Sequence, residues 1–99
     1  MIYLIVIFIN SNIAMKIEEL LIRGLKRFPA DAAVQGHAIR LVGVLAFGND
    51  LFRRKAGEKG VMRCLTAAMG RHGGDESVQL HVCTAITNLA HNSWENRSR

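Results

Sequence analysis

A pattern that recurs after 44 residues restricts this chain more than any other feature. Val34 to Lys55 laid over Val78 to Arg99, an offset of 78 − 34 = 44, needs no gap. The overlay pairs Val34 with Val78, Gln35 with Gln79, His37 with His81, Leu45 with Leu89, Ala46 with Ala90 and Arg53 with Arg97. Six identities in these twenty-two positions exceed the one or two, roughly, that composition alone supplies. Upstream the same offset pairs Leu21 with Leu65, Arg27 with Arg71 and Asp31 with Asp75, and sets Ile17 opposite Val61. Self-similarity at this period is the mark of stacked supersecondary units that cannot each bury their own apolar face.

Each copy reads as helices separated by breakers. From Ala14 to Phe28 the residues Ile17, Leu20, Leu21 and Leu25 recur at helical spacing before Pro29; in the second copy Val61, Cys64, Leu65, Ala68 and Met69 precede Gly70, Gly73 and Gly74. A longer helix follows in each copy, opened by Asp31 or Asp75, whose carboxylate can accept bonds from the free backbone N–H groups of a first turn. These runs reach Phe47 and His91, and carry the stripes Ala38, Leu41, Val42, Leu45 and Val82, Ala85, Ile86, Leu89 as expected core seams. Gly48 and Asn92 suit left-handed helix stops, and Leu51–Ala56 and the stretch from Trp94 suit a short helix leading into the next unit. An apolar content of 49% with only 6% aromatics agrees with interlocking aliphatic helices. The boundaries expected are an apolar segment over 1–12, a partial first unit over 13–48, a second over 49–92 and the start of a third over 93–99.

The run Val78-Gln79, then Ala85-Ile86-Thr87-Asn88-Leu89-Ala90, then Glu95-Asn96-Arg97 resembles the third helix and following link of an armadillo repeat. Lys59-Gly60-Val61 resembles the family's glycine before its second helix. The resemblance covers about Lys16 to Arg99, and the period of 44 also suits the armadillo segment of the large leucine-rich-repeat kinases; HEAT-type repeats are the alternative. It implies an all-α fold, a right-handed α–α superhelix of about two armadillo-like repeats. It also implies a scaffold that binds protein along the concave groove of the third helices, with no catalysis and no cofactor.

Opposite the core seams the long helices carry a second stripe, expected to line that groove: His37, Arg40, Val44 and Phe47 in one copy, His81, Thr84, Asn88 and His91 in the other. The family's counterpart of Asn88 holds an extended peptide backbone, since an amide offers donor and acceptor together. Arg40 would select acidic side chains. The chain departs from the import adaptors of the family, which carry Trp where Arg40 and Thr84 stand; Val44 also replaces the first copy's Asn. With a net charge of +5, such a groove would repel basic cargo. The expected partner is therefore an extended or acidic protein segment. Trp94 falls outside the stripe and reads as a core or repeat-joining residue.

Other chemistries find less in the sequence. The four His and two Cys form no Cys-x-x-Cys or His-x-x-x-His spacing, and His81 and Cys83 point to different helix faces, so no metal site is expected. Cys64 and Cys83 lie inside apolar patterns, as small buried hydrophobes do in a reducing, intracellular setting. Adjacent Glu18 and Glu19 diverge on a helix and read as a solvated face. Gly70-Arg71-His72-Gly73-Gly74 lacks the lysine of a phosphate loop. Nucleic acid or an anionic surface is the competing partner, through Arg40, Arg53, Arg54, Lys55 and Lys59 along one edge, although no aromatic set stands ready to stack bases. Met1–Ile9 is an apolar run that would rise about 13 Å as a helix against roughly 30 Å of hydrocarbon, too short to span. It reads as a buried first element or as a stretch outside the domain. With about two units where solenoids need three or more, the chain is expected to be a fragment of a longer repeat protein or to self-associate through exposed repeat ends.

Overall fold

The computed structural model describes residues 11–91. It holds five helices and no strand among them: α1 (Ser11–Arg27), α2 (Ala32–Ala46), α3 (Asp50–Glu58), α4 (Val61–Arg71) and α5 (Glu76–Ala90). The apolar run Met1–Ile9, the short helix expected from Trp94 and the stop at Asn92 lie outside the described residues.

Each boundary has a local cause. The chain leaves α1 at Phe28, which Pro29 biases away from helical backbone. Asp31 caps α2, its carboxylate accepting from Val34 N at 3.1 Å, and Asp75 caps α5 by accepting from Val78 N at 3.1 Å. The two caps share their backbone form as well, φ −90° and ψ 102° against φ −97° and ψ 104°. Asn49 opens α3 by accepting from Phe52 N at 2.9 Å. Gly48 and Gly60 stand at φ 69° and 84°, a left-handed backbone that a side chain would strain.

A second pair of hydrogen bonds recurs at the same offset. The Gln35 amide nitrogen donates to the carbonyls of Leu25 (3.1 Å) and Phe28 (2.9 Å), closing the end of α1 onto the start of α2. The Gln79 amide donates to Met69 (2.9 Å) and His72 (2.8 Å), joining α4 to α5. Each long helix is thus fastened to the helix before it through carbonyls that a helix C-terminus leaves without intrahelical partners.

The dominant contact in the molecule is α2 against α5; α1 packs on α2, α4 on α5, and α3 crosses beside α1. Gly43 lets the long helices approach. A Cβ on Gly43 would sit 3.3 Å from Ala85 Cα, and one on Gly36 would touch Val78 and His81. The core gathers Ile22, Leu25, Ile39, Val42, Phe52, Val61, Leu65, Val82 and Leu89, all buried.

Several expectations need correction. Leu41, expected in the core seam, is 48% exposed, and Leu20 is 62% exposed; Ile39 and Ile22, their neighbours on each helix, take the inward places. Glu18 is fully buried, not solvated, because Lys59 reaches it: Nζ lies 2.6 Å from Oε1, while Oε2 has no hydrogen-bond donor. Cys83 is exposed, whereas Cys64 is half-buried against the core. Arg53 is buried, not on a basic edge, donating to the Ala46 carbonyl at 2.7 Å and pairing with Asp50.

Candidate functional site

The expected binding residues lie on the two long helices and their caps, and differ in exposure. His37, Arg40 and Phe47 on α2 and its cap are exposed, as are Thr84 and His91 on α5 and its cap; Val44, His81 and Asn88 are half-buried. His81 is half-buried because its ring leans toward the gap at Gly36, 4.0 Å from where a Cβ would stand. Phe47, Asn88 and His91 come together around a cavity of about 380 Å³ at the C-terminal ends of the two helices, with Gly48, Asp50, Arg53 and Thr87 completing its wall. The remaining five lie outside that cavity.

The chemistry of Asn88 follows from how α2 ends. Phe47 N bonds Val44 O at 3.3 Å, three residues back, so the last turn tightens and the Gly43 carbonyl loses its usual partner. Asn88 Nδ2 donates to that carbonyl at 2.9 Å. Arg53 adds a bond at the Ala46 carbonyl, which also accepts from Asn49 N at 3.4 Å, and places its charge at the negative end of the α2 dipole. Burial pushes the Arg53 guanidinium below the ordinary arginine range. Both residues fix α2 and its neighbours in place, and neither role was foreseen from the sequence. The pairing of Arg53 with Arg97 across the repeat was the available signal, since an arginine kept at an equivalent place in two units suits a backbone anchor.

The basic edge is largely engaged inside the protein. Lys55 pairs with Glu58 at 3.6 Å, and Lys59 pairs with Glu18 and, at 3.4 Å, with Glu19. The Glu18 carboxylate, mainly through its hydrogen bond, raises the Lys59 ammonium above the usual lysine range. Of the five cations expected there, Arg40 and Arg54 are exposed and take part in no ion pair described among residues 11–91.

Among the described residues no three His, Cys, Asp or Glu side chains are grouped to hold a metal ion, and no helix is long and apolar enough to cross a membrane. Comparison with protein-family models, with curated proteins and with solved structures gives no match for this chain.

Proposed function

We propose that this chain is a non-catalytic protein-binding unit built as two stacked armadillo-like repeats, which takes an extended acidic segment of a partner on the face shared by α2 and α5. One observation carries the reading: the same cap and the same glutamine clamp recur 44 residues apart, Asp31 with Gln35 and Asp75 with Gln79. The two long helices are therefore capped and clamped alike and pack against each other. A pair of helices held this way forms a rigid surface, and rigidity lowers the ordering cost of binding an extended segment.

On this reading Asn88 serves as a positioning residue, because its amide N–H is engaged between the helices. Contact with the partner falls to His37, Arg40, Phe47, Thr84 and His91, with Arg40 as the charge that prefers Glu or Asp. Burial of Arg53 and the internal pairing of Lys55 and Lys59 weigh against nucleic acid, which needs a continuous run of free cations.

Fluorescence anisotropy with a short labelled Glu-rich peptide tests the proposal. Arg40→Glu is expected to weaken binding about ten-fold, the loss of roughly 1.4 kcal/mol. Equal binding by the variant, or tight and salt-sensitive binding of mixed-sequence RNA in place of the peptide, overturns it.

A further inference from the structure

The close approach of α2 and α5 has a counterpart one layer back. There α1 and α4 touch sparsely, and the two layers together leave a slot of about 350 Å³ between them. Its apolar wall is formed by Leu25, Ala67 and Ala68, and three cations, Lys26, Arg63 and Arg71, stand around it. No carboxylate lines it. Nor does any of the three cations form an ion pair with a carboxylate among the described residues. Gln35 also borders the slot, but its amide nitrogen is committed to the carbonyls of Leu25 and Phe28.

Three positive charges without a carboxylate partner among the described residues stand beside an apolar wall and define a ligand by its chemistry; Lys26 also donates to the Lys59 carbonyl at 3.4 Å. Apolar surface favours a hydrocarbon body, and the charges, acting next to a low-dielectric wall, favour an anionic end far more than they would in bulk water. The volume lies in the lower part of the range that small-molecule sites occupy. We propose that this slot binds a small amphiphilic carboxylate, its apolar body against Leu25, Ala67 and Ala68 and its carboxylate held by Lys26, Arg63 and Arg71. The site lies on the α1–α4 layer, apart from the α2–α5 face, and is independent of the function proposed above.

Cys64 lines the slot and reports on it. Burial raises its thiol above the ordinary range, only partly offset by Lys26, while Cys83 on α5 is exposed and serves as an internal control. The full chain is treated with N-ethylmaleimide, with and without decanoate, and alkylation at each cysteine is followed by mass spectrometry. Decanoate at about ten times its half-saturating concentration should slow Cys64 roughly ten-fold, as expected if the bound form is protected, and leave Cys83 unchanged. Decanol, with the same chain and no charge, should not protect. The double variant Arg63→Ala with Arg71→Ala should lose protection while keeping its helical circular dichroism, both residues being exposed. Arg40→Glu should keep it, which separates this site from the peptide face. Equal protection by decanol, slowing of both cysteines together, protection by an acidic peptide but not by decanoate, or retention of protection in the double variant overturns the proposal.

Discussion

In the first half of the chain Gly36, Ile39 and Gly43 are buried, the glycines directly beneath α5; at the equivalent places in the second half Leu80, Cys83 and Thr87 are exposed, Leu80 by 67%. The opposite exchange occurs on the other side of the long helix. Ala85 is fully buried against Gly43, and its counterpart Leu41 is 48% exposed. Leu20 and Phe28 are likewise exposed, where their counterparts Cys64 and His72 are half-buried. His72 even reaches back to the first unit, its Nε2 lying 2.8 Å from the Pro29 carbonyl, where it must be the donor. The two units therefore share a skeleton of caps and clamps but not an interface. Gly36, Gly43 and Ala85 are small and buried where their counterparts Leu80, Thr87 and Leu41 are larger and exposed, while Ile39 and Cys83 run the other way in size. A helix brought to α5 at the α2–α5 spacing would meet Thr87 at the place where α2 has Gly43.

The largest effect that tests this contrast comes from the glycine itself. Gly43→Val is expected to cost about 3 kcal/mol, since even its Cβ would press on the Ala85 backbone at 3.3 Å and overpacking of a tight contact reaches that size. Thr87→Val, on the exposed counterpart, should change stability by less than about 0.5 kcal/mol. Urea unfolding of both variants decides it; similar costs at the two places would mean that the close approach does not matter.

Next in size is the glutamine clamp. Gln35→Ala takes the amide donor from the buried Leu25 carbonyl and leaves the Phe28 carbonyl only Asp31 N at 3.3 Å, and should cost about 2 kcal/mol, while Gln79→Ala, in its half-buried setting, should cost about 1 kcal/mol. A larger cost at Gln79 would show that the second unit, not the first, holds the stack together.

What could be read from the letters follows the range of the interactions involved. Caps and stops act within a few residues, so Asp31, Asp75, Gly48 and the glycine ahead of α4 were legible, and the structure shows each in use. Inward and outward faces depend on neighbours. Leu20, Leu21, Ile22 and Leu25 cover more than one side of α1, and Ile39, Leu41 and Val42 do the same on α2, so helical spacing alone could not choose Ile22 over Leu20 or Ile39 over Leu41. Glu18 was misread for the same reason: its partner Lys59 is 41 residues away along the chain, 59 − 18. The bond from Asn88 to the Gly43 carbonyl, 45 residues back along the chain, was out of reach of local pattern for the same reason.

The caps offer a smaller and more symmetrical comparison. Asp31→Ala and Asp75→Ala each remove one acceptor at 3.1 Å from a first-turn N–H, and each should cost about 1 kcal/mol. Equal losses by thermal unfolding would mark the caps as the part of the repeat that both units use alike. A two-fold difference would mean that the surroundings of one cap contribute as much as the cap.

Glu18 and Met62 supply the last comparison, since they occupy equivalent places and only the first is charged. Glu18→Met makes the first unit resemble the second, replacing a buried carboxylate, one oxygen of which lacks a donor, by an apolar chain of similar volume. The exchange removes the carboxylate's desolvation together with its attraction to Lys59, which is exposed and keeps Glu19 at 3.4 Å, so stability at neutral pH should stay within about 1 kcal/mol of the wild type. The alkaline range separates the two proteins. The Glu18 carboxylate raises the Lys59 ammonium above its ordinary value, so the folded chain holds that proton more tightly than the unfolded chain does. The stabilisation from this contact is fully present below the unfolded lysine value, about 10.4, and is lost as pH rises through the higher folded value. Cys64 also destabilises the folded chain as pH rises, but it is present in both proteins and cancels in the difference. Above pH about 10.4 the wild type should therefore lose stability faster than Glu18→Met; curves that stay parallel through that range would show that Lys59 gains nothing from the buried carboxylate.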